Sequence, residues 1–176
     1  ILSSLTLTDS ALIQETGLTV TDFSMTGGSW EQAHEFEVTG NYEVLSGSVT
    51  RTAAYTIPQY NPQMEIVTGV TERISVACDV CTSINVQGKL IVDVANPTWT
   101  DVEIDGGAIE LNVPAVWNSL VIQNGGILQH STVASESSGK LNLEVANLTV
   151  DSASSINVTG RGLLTSGTGR LYGGSY

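Results

Sequence analysis

Apolar and polar residues alternate in short runs along almost the whole chain. Near the start, SLTLT and GLTVTDFSM put Leu, Val, Phe and Met on one face and Ser and Thr on the other, the period-two pattern of half-buried strands. Gly17 and Gly27-Gly28 break these runs, and from Glu35 the alternation resumes as EFEVTGNYEVLSGSVTRTAAYTI. Within it, Gly40-Asn41 and Ser46-Gly47 are turn-like dipeptides between short strands. No stretch sustains a 3.6-residue period. WEQAH (Trp30 to His34) has a mild helical character but is too short to stand alone.

From Ser119 to His130 the phrase SLVIQNGGILQH brackets Gly125-Gly126 with Leu120, Ile122, Ile127 and Leu128, and looser versions of it recur. They are SINVQGKLIV (Ser83 to Val92), TDVEIDGGAIEL (Thr100 to Leu111), KLNLEVANLTV (Lys140 to Val150) and SSINVTGRGLL (Ser154 to Leu164). Gly88, Gly106-Gly107 and Gly125-Gly126 stand about 18 to 19 residues apart, a spacing that predicts one coil of a solenoid per phrase. After Gly126 the spacing stretches to nearly 28, so the polar insert HSTVASESSG reads as a corner loop or an irregular rung. Asn124-Gly125 and Asp105-Gly106 also suit hairpin turns, but a unit of two to three short strands recurring in phase favours coils that bury their inward residues on the next coil.

The fold expected is all-β: a right-handed parallel β-helix over residues 61–176, preceded by an N-terminal β-module over residues 1–60. Pro58, Asn61-Pro62, Tyr55 and Tyr60 place the seam near Ile57 to Gln63, because proline removes a backbone donor and no central strand can cross there. For the N-terminal part, a sandwich-like or irregular β-module and continued coils both fit the pattern. The abrupt start on Ile1 and the Gly-rich last phrase read as a piece of a longer protein.

Composition narrows the function. Only 14% of the 176 residues are charged, yet 41% are hydrophobic, which is enough to bury a core. The net charge of −12 disfavours binding to nucleic acid or to an anionic membrane leaflet, since both require a basic surface. It suits solubility outside the cell, cation binding or a sugar-rich setting. No apolar run is long enough to span a bilayer. The C-D-V-C pair Cys78 and Cys81, the low Lys count and two N-x-[ST] sequons favour an oxidising, extracellular setting.

Few residues invite chemistry. His34 and His130 are the only histidines, and G-x-S-x-G and H-E-x-x-H are both missing. Asp101, Glu103 and Asp105 alternate on one strand face and form a Ca²⁺ candidate, though a solvated outer face explains them better. No other cofactor is implied. Cys78 and Cys81 fit a disulfide, local or with another subunit, better than a redox or zinc motif, which would need a βαβ unit or further ligands. Asn147-Leu-Thr149 and Asn157-Val-Thr159 are glycosylation candidates. Trp99 and Trp117 are candidates for stacking on sugars, against core or coil-capping roles.

The phrase VEIDGGAIELNVPAVWNSLVIQNGGILQHS (Val102 to Ser131) resembles the glycine-rich β-unit called G8, found beside parallel β-helix repeats in large secreted or cell-surface proteins. The tail from Leu141 to Tyr176 is similar to glycine-rich β-helix segments of very long extracellular proteins, which serve as adhesins or filament subunits. The resemblance implies secretion and a structural or adhesive role, and it brings no catalytic motif. The expectation is a non-enzymatic, glycosylated, secreted structural protein at the cell surface. It would be a subunit of a filament or adhesin assembled through stacked coils with itself or other subunits, without nucleic-acid partners or membrane insertion. The alternative is a carbohydrate-binding module of a secreted polysaccharide-acting protein, with glycans as partners and with Trp99 or Trp117 exposed in a groove.

Overall fold

In the computed structural model, which describes residues 1–78, 80–94, 99–131 and 141–159, alternation becomes short parallel strands. The first six are β1 (Leu2–Thr8), β2 (Ala11–Gln14), β3 (Leu18–Gln32), β4 (Phe36–Val38), β5 (Tyr42–Arg51) and β6 (Tyr55–Thr56). A 3-10 turn, Pro58–Tyr60, leads into β7 (Gln63–Ile66) and β8 (Val70–Ile74). Then come β9 (Ser83–Val86), β10 (Lys89–Val92), β11 (Asp101–Asp105), β12 (Ala108–Leu111), β13 (Ala115–Gln123), β14 (Ile127–Gln129), β15 (Leu143–Val150) and β16 (Ser155–Asn157). They wind into a β-solenoid of about six turns. One sheet runs β16-β14-β12-β10-β8-β5-β3-β4-β6, with β1 and β2 also on β3; the second runs β15-β13-β11-β9-β7.

Parallel in-register stacking turns the sequence repeat into columns. Met64, Ile84, Val102 and Leu120 face inward one above another, and so do Ile66, Val86, Ile104 and Ile122. All eight are buried, which is what drives the coils together. The step between coils is 18 from β9 to β11 (Ser83↔Asp101) and 19 from β10 to β12 (Lys89↔Ala108), matching the spacing of the Gly phrases. The corner explains the glycines: a Cβ on Gly107 would lie 2.5 Å from the carbonyl oxygens of Gly88 and Val86, and one on Gly126 would lie 2.5 Å from that of Ile104. Successive coils touch there backbone to backbone, with no room for a side chain. From β14 to β16 the step becomes 28 (Ile127↔Ser155), as the stretched spacing foretold, while residues 132–140 of the insert and the tail 160–176 lie outside the described residues.

The N-terminal part belongs to the same solenoid. A sandwich-like module would need antiparallel hairpins; instead β1 pairs parallel to β3 at a step of 18 (Leu2↔Val20), and β3 pairs parallel to β5 at 19 (Trp30↔Val49). Of the two readings the pattern left open, continued coils are what form. Trp30–Gln32, the residues of mild helical character, end the strand β3, because the inward side of the strand buries Trp30 and Gln32. Across residues 57–63 the first sheet continues, with β5 pairing β8 at a step of 23 (Gly47↔Val70). The prolines mark the place where the second sheet starts.

Candidate functional site

The seam holds the most unusual chemistry of the core. One inward column runs Gln14, Gln32, Arg51, Ile74, Val92 and Leu111, changing from polar to aliphatic at Ile74. The neighbouring column runs Leu12, Trp30, Val49, Glu72, Leu90, Ile109 and Leu128, with Glu72 as the one carboxylate among apolar residues. Arg51 and Glu72 are 0% and 1% exposed and form an ion pair through Arg51 Nε and Glu72 Oε1. Two charges so deep in the core persist only if paired and hydrogen-bonded.

The remaining donors are also used. Arg51 Nη1 donates to Gln32 Oε1 at 3.0 Å, Arg51 Nη2 donates to the Tyr42 hydroxyl, and the Tyr60 hydroxyl donates to Glu72 Oε2 at 3.3 Å. Gln32 Nε2 in turn donates to the carbonyls of His34, Ala53 and Ala54, tying the turns that follow β3 and β5 to the node. Aromatic faces surround the guanidinium, which lies 4.7 Å from the Tyr55 ring centroid and 5.1 Å from that of Trp30. Burial pushes the Tyr42 phenol up to about 12, against the pull of Arg51. Burial, then Glu72, holds the Tyr60 phenol well above its ordinary value. Burial works against the Arg51 charge, but Glu72 and the tyrosines outweigh it and hold the guanidinium protonated.

Above this node the solenoid wall is split. Tyr42 to Ser46 of β5 pair with β3 on one side, and β7 pairs with β9 on its far side, while no ladder joins β5 to β7. Between them lies a cleft of about 490 Å³, with Tyr42 and Val44 on one wall, Gln63 and Glu65 on the other, and Tyr60 and Glu72 at its base. The recess has both polar and apolar lining, with the ion-paired Glu72 at its base. The sequence carried a signal for the node: in VTERI, parity places Glu72 with Val70 and Ile74, and in SVTR it places Arg51 with Val49. Reading those charges as solvated hides it.

A second feature is the last described coil of the solenoid. Leu148 continues the column of Leu120, Val150 that of Ile122, and Ile156 that of Leu128. The preceding residues are fully buried, yet Leu148, Val150 and Ile156 are 50%, 40% and 41% exposed.

The residues singled out in the sequence distribute as follows. Trp99 and Trp117 are buried in the core, so the expectation that either is exposed to stack on a sugar is corrected: flat apolar rings fill coil interiors. Asp101, Glu103 and Asp105 do lie on one strand, but amide side chains from adjacent coils engage all three carboxylates. Asn118 Nδ2 donates to Asp101, Asn85 Nδ2 and Gln123 Nε2 to Glu103, and Asn124 Nδ2 to Asp105. Among the described residues no group of three or more His, Cys, Asp or Glu is placed to hold a metal ion. Cys78 and Cys81 form a local disulfide, with Cα atoms 5.5 Å apart. Asn147 and Asn157 are both exposed; Asn147 Nδ2 donates to the Asn118 carbonyl at 3.1 Å, and Asn157 Oδ1 accepts from the Thr159 amide. His130 is buried, its Nδ1 2.6 Å from the Ser131 carbonyl. No helix among the described residues is long and apolar enough to cross a membrane.

Compared with known proteins, the chain matches no family model, no curated protein and no solved structure.

Proposed function

We propose that this chain is a non-enzymatic structural segment of an extracellular protein, joined end to end with a neighbouring solenoid. The observation that carries this reading is the exposure, in the last described coil, of Leu148, Val150 and Ile156, which continue fully buried columns. Among the described residues, the strands there, β15 and β16, are the outermost of the two sheets at that end. A following coil would cover these side chains and pair those edges, and each half-exposed aliphatic residue would contribute about 1 kcal/mol on burial.

The local disulfide and the low charge content support an oxidising exterior. The resemblance of Val102 to Ser131 to a glycine-rich unit of cell-surface proteins goes with the same reading. Glycans are compatible with stacking. Asn147 stands in the outward column Ser83, Asp101, Ser119, so a glycan there projects sideways and leaves the end free.

The test is the assembly state of the native chain by analytical ultracentrifugation and electron microscopy, against Leu148→Lys/Val150→Lys. Concentration-dependent end-to-end oligomers that the double substitution abolishes support the reading. A native chain that stays monomeric at high concentration rejects it.

A further inference from the structure

We propose that the cleft between β5 and β7 accepts an extended peptide of positive charge, which adds a strand to each wall and closes the split in the second sheet. This inference concerns the side of the solenoid and does not depend on end-to-end joining.

The walls have the required form. The amide of Phe23 donates to the Asn41 carbonyl, so the main-chain groups of Asn41 and Glu43 face β3, and those of Tyr42 and Val44 face the cleft. On the opposite wall the carbonyls of Pro62 and Ile66 accept from Ser83 and Gln87, so Gln63 and Glu65 turn their main-chain groups into the cleft. Each wall therefore offers main-chain donors and acceptors at alternate residues, the pattern that strand addition uses. Four residues of wall on each side match a strand of about 13 Å. Elsewhere along the second sheet this position is filled by the next coil; here the step of 23 residues on the first sheet and the 3-10 turn at Pro58–Tyr60 leave it unpaired.

The lining fixes the charge of the occupant. Glu43, Glu65 and Glu72 line the cleft and no Lys or Arg does. Glu72 is neutralised by Arg51 behind it, which leaves Glu43 and Glu65, both exposed, as the free charges. Lys or Arg at alternate positions of the entering strand would meet them, whereas an acidic strand would be repelled from a chain already at −12. The node beneath is buried, and Arg51, Glu72, Gln32, Tyr42 and Tyr60 hold one another by hydrogen bonds, so the floor is ordered before binding.

The experiment uses the full chain carrying Leu148→Lys/Val150→Lys, so that assembly through the end does not enter. Blocked peptides VKVTVKV and VEVTVEV are titrated by calorimetry, with amide chemical shifts followed at residues 42–46 and 63–67. The expected result is binding of the Lys peptide at least tenfold tighter than the Glu peptide, with shifts confined to both walls. Glu43→Gln/Glu65→Gln should reduce that preference to less than threefold. N-methylation of alternate amides of the Lys peptide should abolish binding. Binding that survives N-methylation, binding indifferent to peptide charge, no binding of either peptide, or binding of the neutral oligosaccharide cellohexaose in their place would each overturn the proposal.

Discussion

The two halves of this solenoid share a sheet and a register but fill their interiors differently. From β9 onward the inward columns through Ile84, Val86 and Leu90 are aliphatic, with Trp99 and Trp117 buried beside them, and the coils repeat at 18 to 19 residues up to the insert. Before the seam, the interior is an aromatic cluster in which Phe23, Trp30 and Phe36 meet at 4.5 to 5.5 Å, next to a polar column of Gln14, Gln32 and Arg51. Where the two fillings meet, the coil lengthens and one of the two walls opens. Ladder hydrogen bonds are the same in both halves and survive the junction on the first sheet. The side chains stacked behind the ladder therefore decide whether the second wall closes. In this solenoid the change of filling falls at the ion pair of Arg51 and Glu72, which stands in register with Gln32 and Val49 on one side and with Ile74 and Leu90 on the other.

The sharpest way to break this comparison is to remove one charge. Glu72→Ala leaves a buried guanidinium without its carboxylate and is expected to cost about 3–5 kcal/mol in urea unfolding. Arg51→Met/Glu72→Leu, which extends the aliphatic filling through the seam, should recover most of that loss. If Glu72→Ala costs less than about 1 kcal/mol, the node is not what joins the halves. Within the aliphatic half, Leu120→Ala should cost about 3 kcal/mol, since Leu120 is fully buried and stands in register on the buried Val102 of the preceding coil.

Two glycines of the same kind of corner sharpen the point about coil spacing. Gly107→Ala must drive apart backbone carbonyls of the preceding coil and should cost about 2 kcal/mol or more. Gly125→Ala meets nothing within 4 Å and carries only the strain of a φ of +83°, for which about 1 kcal/mol is expected. Equal costs, measured by thermal unfolding, would mean that the corners strain the turn itself and do not gauge the distance between coils.

That difference also explains what was legible in the sequence. Gly88, Gly107 and Gly126 recur because backbone meets backbone at those corners, so the spacing of one residue type exposed the coils of the C-terminal half. The N-terminal half has the same backbone-to-backbone contact at Gly28 and Gly47, 19 residues apart, but both glycines lie inside long strands and do not punctuate a repeated phrase. Its Gly27-Gly28 pair lies inside the fifteen-residue strand β3, where it bends a continuous ladder, and so the same fold reads there as generic alternation. Cys78 and Cys81 were legible as disulfide cysteines, with a local bond and one to another subunit both open, and the structure joins them locally. The cleft was not legible: it arises from a missing pairing between β5 and β7, and nothing in either strand's own pattern records which neighbour it lacks. Tyr42 and Tyr60 look like ordinary aromatic strand and turn residues until the columns place them beside Glu72.

The tyrosines give the smallest effect and the one that separates the halves by pH. All described tyrosines (Tyr42, Tyr55 and Tyr60) belong to the aromatic half. Tyr42 is raised from 10.0 to about 12 in the fold, so the native state holds its proton more tightly than the unfolded chain. The stability this confers is fully present below pH 10, and is lost as pH rises from 10 through about 12. Tyr60, raised by the same burial, acts in the same direction. Each phenol adds a slope of about 1 kcal/mol per pH unit in that window. Tyr42→Phe keeps the ring against Phe23 and removes the ionisation, at the cost of the hydroxyl that accepts from Arg51. It should lower stability at neutral pH by about 1 kcal/mol and make the alkaline decline shallower. Near-ultraviolet absorbance follows phenolate formation directly: the contribution of the native chain near pH 12 should shrink in Tyr42→Phe, while the late contribution of Tyr60 remains. A wild-type chain whose tyrosines all ionise at the ordinary value while still folded would show that the node is open to water, and the contrast between a sealed polar half and a sealed aliphatic half would fail.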